Sequence, residues 1–393
     1  MITVDTALSQ LFDLVAPLGT ETVPLRAASG RVLADDVAAT RTQPPFDAAS
    51  MDGYALKSVE ADLHAQFKVV GESAAGHGWA GTVGAGQTVR IFTGAPVPKG
   101  ADRVIIQENV TRSGDLITIT DDGDTKTNIR PAGIDFATGD VMSGPRQLSP
   151  GDIALLASMN IAEVQVARRP VVALISTGDE LVMPGEVPGP DQIIASNTFG
   201  LAALLELGGA EARVLPIARD TVASLQTVLG LTEGADLIVT IGGASVGDHD
   251  LVAQAAADMG LDQSFYKVAM RPGKPLMAGR LGDVPMVGLP GNPVSAMVCG
   301  TVFLMPMLRA MMGLGAAPAP RVTRTLSAPL AQNGPREHYM RAIADGDTIR
   351  DAGDQDSSLL SVLADANALL VRPPHDPPRA INDTVDAILL QQS

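Results

Sequence analysis

The chain has 393 residues, a net charge of −16, 46% hydrophobic residues and 18% charged residues. That length predicts two to four domains rather than one ordinary core, and the balance of apolar and charged residues excludes disorder. The acidity argues against nonspecific nucleic-acid binding, which needs a basic surface, and against a polybasic membrane anchor.

Aromatic residues make up only 3%, so Val, Ile, Leu, Ala and Met must fill the cores. Cys299 is the only cysteine, which excludes an intramolecular disulfide and a cysteine-based metal site. It lies in an apolar run and is expected to be a small buried hydrophobe; a cytoplasmic location fits. The first 20 residues carry Asp5 and Asp13 without a basic start, so no targeting segment is expected. The longest apolar stretch, Val294 to Leu308, is interrupted by Ser295, Gly300, Thr301 and Pro306 and is expected to fall short of a membrane span.

From Val4 to Val15, Leu8, Leu11, Phe12 and Val15 share one helical face, with Asp5 close to the helix start. Residues 21–43 read as extended and end at Gln43-Pro44-Pro45, a strong break. From 46 to 145 short β-like runs (Phe67–Val70, Thr88–Thr93, Arg103–Gln107, Leu116–Thr120) alternate with Gly-rich turns, which predicts a small inserted β domain. A helix is expected from Ser149, as N-cap, with Pro150 in the first turn. Pairing it with the N-terminal helix makes 1–45 and 146–169 one discontinuous domain.

Residues 170–317 alternate strand-like runs (Val171–Ile175, Arg213–Ile217, Leu237–Ile241, 284–289) with helices (Asn197 to Leu207, Thr221–Leu231, 251–259, 293–312). This is the pattern of a doubly wound parallel α/β sheet. Ala316-Ala-Pro-Ala-Pro320 reads as a linker, and 318–393 returns to β patterning as a final small β domain.

Three strand ends carry the strongest chemical signal. Val171–Ile175 runs into Ser176-Thr-Gly-Asp-Glu180, Leu237–Ile241 into Gly242-Gly-Ala-Ser245 and on to Asp250, and 284–289 into Pro290-Gly-Asn292-Pro-Val-Ser295. Ligands of open α/β sheets bind beyond such carboxyl ends. Glu180, Asp220 and Asp250 each follow an apolar strand. They are either N-caps and solvated loop charges or ligands of a hard cation shared with substrate phosphates. Gly242, Gly243 and Ser245 offer an anion nest or an ordinary turn. The Pro290–Ser295 segment precedes a long helix whose N-terminus favours anions. Arg271-Pro-Gly-Lys274 sets two cations in a rigid loop of an acidic protein, as an oxyanion would need; a solvated turn is the alternative. In the β domain, Phe46 to Tyr54, Ile91 to Pro98 and Asn128 to Asp135 are dense polar and Gly loops. Gly-x-Ser-x-Gly and Gly-Lys-Ser/Thr motifs are absent, and the five histidines lack zinc-site spacing.

Together these segments resemble the molybdopterin molybdenumtransferases, the bacterial MoeA and gephyrin E-domain family. The resemblance runs along nearly the whole chain. It is carried by Ser-Met-Asp-Gly-Tyr-Ala (50–55), Thr-Gly-Ala-Pro-Val-Pro (93–98), Ser-Thr-Gly-Asp-Glu-Leu (176–181), Gly-Gly-Ala-Ser-Val-Gly (242–247), Pro-Gly-Lys-Pro (272–275) and Gly-Leu-Pro-Gly-Asn-Pro-Val-Ser (288–295). It implies insertion of molybdate into adenylylated molybdopterin with release of AMP, the final step of molybdenum cofactor synthesis. It also implies a homodimer with shared active sites, and allows the molybdopterin adenylyltransferase as a partner.

By the same resemblance, Glu180, Asp220 and Asp250 match acidic positions around Mg²⁺ and the pterin nucleotide, and Ser176, Gly178, Gly242, Gly243, Ser245, Pro290 and Asn292 bind that substrate. Arg271, Lys274, Ser295, Arg341 and Ser357 match the molybdate pocket. Asp52, Thr93 and Asp135 match β-domain residues that face the partner's site. Two positions depart from the family: Ala48 stands where Asn is common in the loop before Asp52, and Arg271 where Lys is common. A non-catalytic scaffold of the gephyrin type and a tungstate-inserting paralogue are the competing readings.

Overall fold

The computed structural model describes residues 1–121, 126–243 and 251–390. Helix Val4–Leu14 starts at Thr3, whose hydroxyl accepts the Thr6 N–H at 3.1 Å, and Asp5 sits in its first turn. Its buried face, Val4, Ala7, Leu8 and Leu11, joins the core of the α/β region. The helix does not pair with Pro150–Ser158, as the sequence pattern suggests. The extended segment that follows makes that connection: Thr20–Pro24 pairs antiparallel with Glu163–Ala167, and Val23, Leu33, Leu156 and Val166 share a small core. Pro150–Ser158 itself is capped as expected, with Ser149 and Asp152 forming a reciprocal capping box.

The β region is a six-stranded sheet in the order Arg103–Ile106, Gly53–Leu56, Gln87–Ile91, Gln66–Ser73, Leu116–Ile119, Val110–Ser113. Gly53 lies where strands crowd: a Cβ there would stand 2.0 Å from the Ile105 carbonyl oxygen of the neighbouring strand. Backbone cannot rotate away as a side chain can. Gly53→Ala is therefore expected to cost about 3 kcal/mol or more. The single tryptophan, Trp79, packs over Gly71 of the same sheet, so its fluorescence midpoint in urea reads the loss.

Arg168 leads into the next unit. Its guanidinium donates to both Asp236 oxygens at 2.8 and 2.7 Å, and the same carboxylate accepts the Val171 N–H, fixing where the first strand begins. The α/β sheet has the order Glu211–Val214, Val171–Ser176, Leu237–Ile241, Val284–Leu289, Met277–Leu281, Leu261–Tyr266. The first four strands are parallel. The last two are antiparallel, so the sheet is mixed rather than wholly parallel. Helices cover both faces. Asn197–Leu207 and the helices from Pro293 to Met311 pack on one, Val222–Leu229 and Leu251–Asp258 on the other.

The helical run Pro293–Met311 has the length and apolar composition to cross a membrane, contrary to the expectation that it falls short; it is mostly buried and serves as a core helix. A π turn at Gly300–Leu304 interrupts it. Pro306 supplies the reason, because it has no N–H to bond the Val302 carbonyl and the ladder must re-register ahead of it. Cys299 is fully buried, and burial pushes its thiol pKa up.

The C-terminal region closes into a five-stranded barrel: Glu337–Asp345, Thr348–Asp351, Val322–Leu326, Thr384–Leu389 and Ala368–Arg372, the last pairing back to the first. Met270–Arg271 of the α/β region pairs with Glu337–His338, stitching barrel to sheet.

Candidate active site

The four parallel strands each break into a loop where the apolar run stops. The crevice beyond them is a cavity of about 880 Å³. Ser176, Thr177, Gly178 and Glu180 line it after the first strand, Asp220 after the second, Gly242 and Gly243 after the third, and Pro290 to Pro293 after the fourth. Lys274, Pro275, Ser196 and Asn197 complete it, and Ser358 reaches it from the barrel region.

Local chemistry explains these positions. Gly242 and Gly243 have φ of +92° and +70°, a region most side chains avoid, and a Cβ at Gly243 would lie 2.2 Å from Val252 Cγ2. The strand end can therefore turn tightly, with the Gly242 N–H donating to the Leu289 carbonyl at 3.1 Å. Glu180 folds its carboxylate back against Gly178. Asp220 and Asp179 bind each other's backbone: Asp220 N–H donates to Asp179 Oδ1 at 3.1 Å and Asp179 N–H to Asp220 Oδ2 at 3.4 Å. Arg219 Nη1 donates to the Asp179 and Leu181 carbonyls at 3.1 Å, bracing the acidic loop from behind. Ser176 is buried and its hydroxyl is engaged with Thr198 at 2.5 Å. Asn197 donates to the Gly291 carbonyl at 2.7 Å, tying the helix start to the Pro-Gly-Asn-Pro loop.

Nine of the residues singled out from sequence therefore share one cavity: Ser176, Gly178, Glu180, Asp220, Gly242, Gly243, Lys274, Pro290 and Asn292. Ser245 and Asp250 lie outside the described residues. Asp179, Thr177, Ser196, Asn197, Arg219 and Ser358 line or brace the cavity without being singled out by the sequence pattern. Asp179 sits inside a quoted motif, and its neighbours there are the signal that points to it. Ser196, Asn197 and Ser358 arrive only through the tertiary fold.

The five residues matched to an oxyanion pocket are arranged differently from one another. Lys274 lines the cavity; its carbonyl accepts the Val268 N–H at 3.0 Å, and its ammonium has no partner among the described residues. Ser357 stands beside it: its hydroxyl accepts from Asn292 Nδ2 at 3.0 Å and its carbonyl from Val294 N–H at 3.1 Å. Ser295 is buried one turn into the helix. Arg341 is 2% exposed and does not line the cavity. Its guanidinium donates to the carbonyls of Asp356 (2.9 Å), Leu359 (3.2 Å) and Asp354 (3.1 Å), so it holds the loop that presents Ser357 and Ser358. Burial lowers its pKa, against the opposing pull of Asp354 and Asp356. Arg271 is exposed and pairs in register with His338 at the barrel instead of lining the cavity.

The β-domain candidates form a separate cluster, and none of them lines this cavity. Asp52 Oδ1 accepts the Thr93 N–H at 2.7 Å and the Thr93 hydroxyl at 2.8 Å, and these bonds hold its carboxyl below the usual range. Arg90 sits over Tyr54 and Phe92, 5.2 and 4.6 Å from the ring centres, and buttresses the loop. Asp47 accepts the Ala132 N–H at 2.9 Å, and Ala48–Ala49 pairs with Ile129–Arg130, which brings the loop of exposed Asp135 alongside.

Hard oxygen donors suit a hard cation, and Glu180 and Asp220 face the same space. Among the described residues no three His, Cys, Asp or Glu stand close enough to hold a metal ion. The donor set is thus two carboxylates that need substrate oxygens, or a further ligand, to complete a shell.

Comparison with known proteins agrees along the whole chain. Residues 2–160 match the MoeA N-terminal region (domains I and II), 173–310 a probable molybdopterin binding domain, and 323–390 the MoeA C-terminal region (domain IV). A relative from Nostoc sp. (strain PCC 7120), named molybdopterin molybdenumtransferase, is 36% identical over 383 residues, covering 92% of this chain and 88% of its own. One from Mycobacterium tuberculosis (strain H37Rv), molybdopterin molybdenumtransferase 2, is 37% identical over 365 residues, 89% of this chain and 90% of its own. The crystal structure of a molybdopterin biosynthesis moeA protein from Pyrococcus horikoshii OT3 superposes with a TM-score of 0.85 at 26% identity, covering 99% of this chain and 100% of that one. With matches of this extent in all three segments, the chain belongs to the molybdopterin molybdenumtransferase family of enzymes.

Proposed function

We propose that this chain inserts molybdate into adenylylated molybdopterin and releases AMP. The observation that supports it best is one cavity holding two carboxylates, an unpaired lysine and a glycine turn beside a barrel loop, counted among the described residues. The nucleotide phosphates lie against the Gly242–Gly243 turn, where the absence of side chains admits close approach of the backbone. Glu180, Asp220 and, from its sequence position, Asp250 hold Mg²⁺, which when bound neutralises the phosphate charge and polarises the bond that breaks. Lys274 places a point charge on the oxyanion, Ser295 and Ser357 orient it, and Arg341 acts by holding the Ser357 loop. Arg271 attracts the oxyanion from the barrel side. Ser176, Gly178, Ser245, Pro290 and Asn292 shape the substrate pocket.

The protein acts in the cytoplasm as a homodimer, with Asp52, Thr93 and Asp135 of one chain facing its partner's cavity. Their absence from this chain's own cavity lining favours that arrangement. The adenylyltransferase that makes the substrate is the expected partner. The domains run 1–45 with 146–169, 46–145, 170–317 and 318–393.

Purified protein, adenylylated molybdopterin, Mg²⁺ and molybdate should give AMP together with a cofactor that reactivates a molybdenum-free apoenzyme. Glu180→Gln should slow that release by at least about a hundredfold while substrate still binds. AMP release that ignores molybdate, with no reactivation, counts against the reading.

A further inference from the structure

The first two strands of the α/β sheet, Glu211–Val214 and Val171–Ser176, run parallel, and their pairing continues past the strand ends. Thr177 bridges Ala218, the Ala218 N–H donates to the Ser176 carbonyl at 2.9 Å, and the Gly178 N–H donates to the Ala218 carbonyl at 3.1 Å. The loops that carry Glu180 and Asp220 therefore leave the sheet side by side. Arg219 links them. Its N–H donates to Ser224 Oγ at 2.9 Å, which ties its backbone to the first turn of helix Val222–Leu229, and its side chain reaches across to the neighbouring loop. There a single nitrogen, Nη1, donates to three carbonyls: Gly178 at 3.4 Å, and Asp179 and Leu181 at 3.1 Å. The fourth carbonyl of that turn, on Glu180, accepts the Ile193 N–H at 2.8 Å.

These partners are unexpected on charge alone. Asp179, Glu180 and Asp220 all belong to the two loops that Arg219 joins, and a guanidinium fork matches a carboxylate better than a carbonyl. Among the described residues Arg219 nevertheless makes no ion pair. Its bonds go to the main chain, and the Glu180 and Asp220 side chains are left to the cavity that both residues line. Arg219 itself is not part of that lining. A salt bridge to either carboxylate would occupy oxygens that a hard cation needs. Carbonyls gathered on one cation instead fix the turn from which the Glu180 side chain projects, and leave its carboxylate free.

We propose that Arg219 is a positioning residue for a divalent cation: it holds the Gly178–Leu181 turn by its carbonyls so that Glu180 and Asp220 present free oxygens to one ion. This rests on the reading above that these carboxylates take Mg²⁺. Groups that orient metal ligands from outside set affinity by about ten- to hundredfold. Because one nitrogen makes all three bonds, a lysine ammonium, itself a point donor, can replace it. Arg341 differs, since both of its terminal nitrogens are engaged.

Titration of the full chain with Mn²⁺ in the presence of AMP tests it, read by the loss of the free-ion electron paramagnetic resonance signal. The natural protein should bind Mn²⁺. Arg219→Gln should bind it about ten- to hundredfold more weakly, and Arg219→Lys should recover most of the loss. The Mg²⁺ concentration for half-maximal AMP release should rise in step, while kcat at saturating Mg²⁺ and the molybdate KM stay close to their natural values. Arg219 is exposed, so Arg219→Gln should fold. Arg213→Gln controls for a clamp that is only structural: Arg213 donates to the Thr232 and Glu233 carbonyls at 3.4 and 2.8 Å, outside the cavity lining, and its loss should lower Tm without changing Mn²⁺ affinity. Equal Mn²⁺ affinity in the natural protein and Arg219→Gln overturns the role and leaves the metal and transferase readings intact. Equal weakening in Arg219→Lys and Arg219→Gln overturns the carbonyl clamp. A natural protein that binds no Mn²⁺ removes the metal from the cavity, and the role of Arg219 with it, a failure visible before any variant is compared.

Discussion

Arg341→Ala should cost turnover on the order of a hundredfold or more, although its side chain does not line the cavity. The guanidinium is buried and spends its donors on the carbonyls of Asp354, Asp356 and Leu359, and its Nε donates to Gln355 Oε1 at 3.4 Å. Removing it leaves several polar groups without partners, a loss of about 3–5 kcal/mol in comparable buried charge networks. The loop would relax, and with it the bonds from Ser357 to Asn292 and Val294. Displacing a positioning element by even 1 Å commonly costs about a hundredfold in rate. Arg341→Lys should not rescue, because one ammonium cannot reach three carbonyls that a planar fork spans. Amide exchange in 352–360 should quicken in both variants, while nucleotide binding to the α/β cavity persists. Normal turnover in Arg341→Ala, with an unprotected loop, would falsify the positioning role.

This residue also marks the limit of what can be read from the chain alone. The cavity loops are legible because each follows a continuous apolar strand, and strand ends in α/β sheets are where ligands sit. Asn197 and Ser358 carry no such local mark: they meet Gly291 and the cavity through contacts 94 residues away in one case and across the barrel junction in the other. Leu261–Tyr266 and Met277–Leu281 escape the strand pattern for a related reason. The first is mostly exposed and the second has a glycine at its centre, so neither shows a clean apolar run, and their antiparallel direction comes from the hairpin they form. Gly53–Leu56 is wholly buried but only four residues long. The role given to Arg341 changes most on folding, since the match to an oxyanion pocket does not reveal that its donors are already engaged.

The C-terminal barrel should lose stability between about pH 6.5 and 4, with His338 as the cause. Burial, then Arg271, Arg372, Arg336 and Arg341, push its pKa from the ordinary 6.5 down to about 4. The unfolded chain takes up a proton near 6.5, whereas the folded barrel refuses it until about 4. Protons thus favour the unfolded state across that window. The histidine's contribution is full above 6.5, falls as the pH drops, and falls no further below 4. The gap is worth about 3 kcal/mol at most. Burial alone would raise Asp376, but its bonds to Arg379 and Arg372 hold it below 3.8, and Arg168 does the same for Asp236. Amide exchange of Glu337–Asp345 and Ala368–Arg372, corrected for intrinsic rate, should therefore show protection that declines from about pH 6.5 to 4 in the natural protein and stays level in His338→Gln. Equal pH slopes in the two proteins would remove His338 as the source.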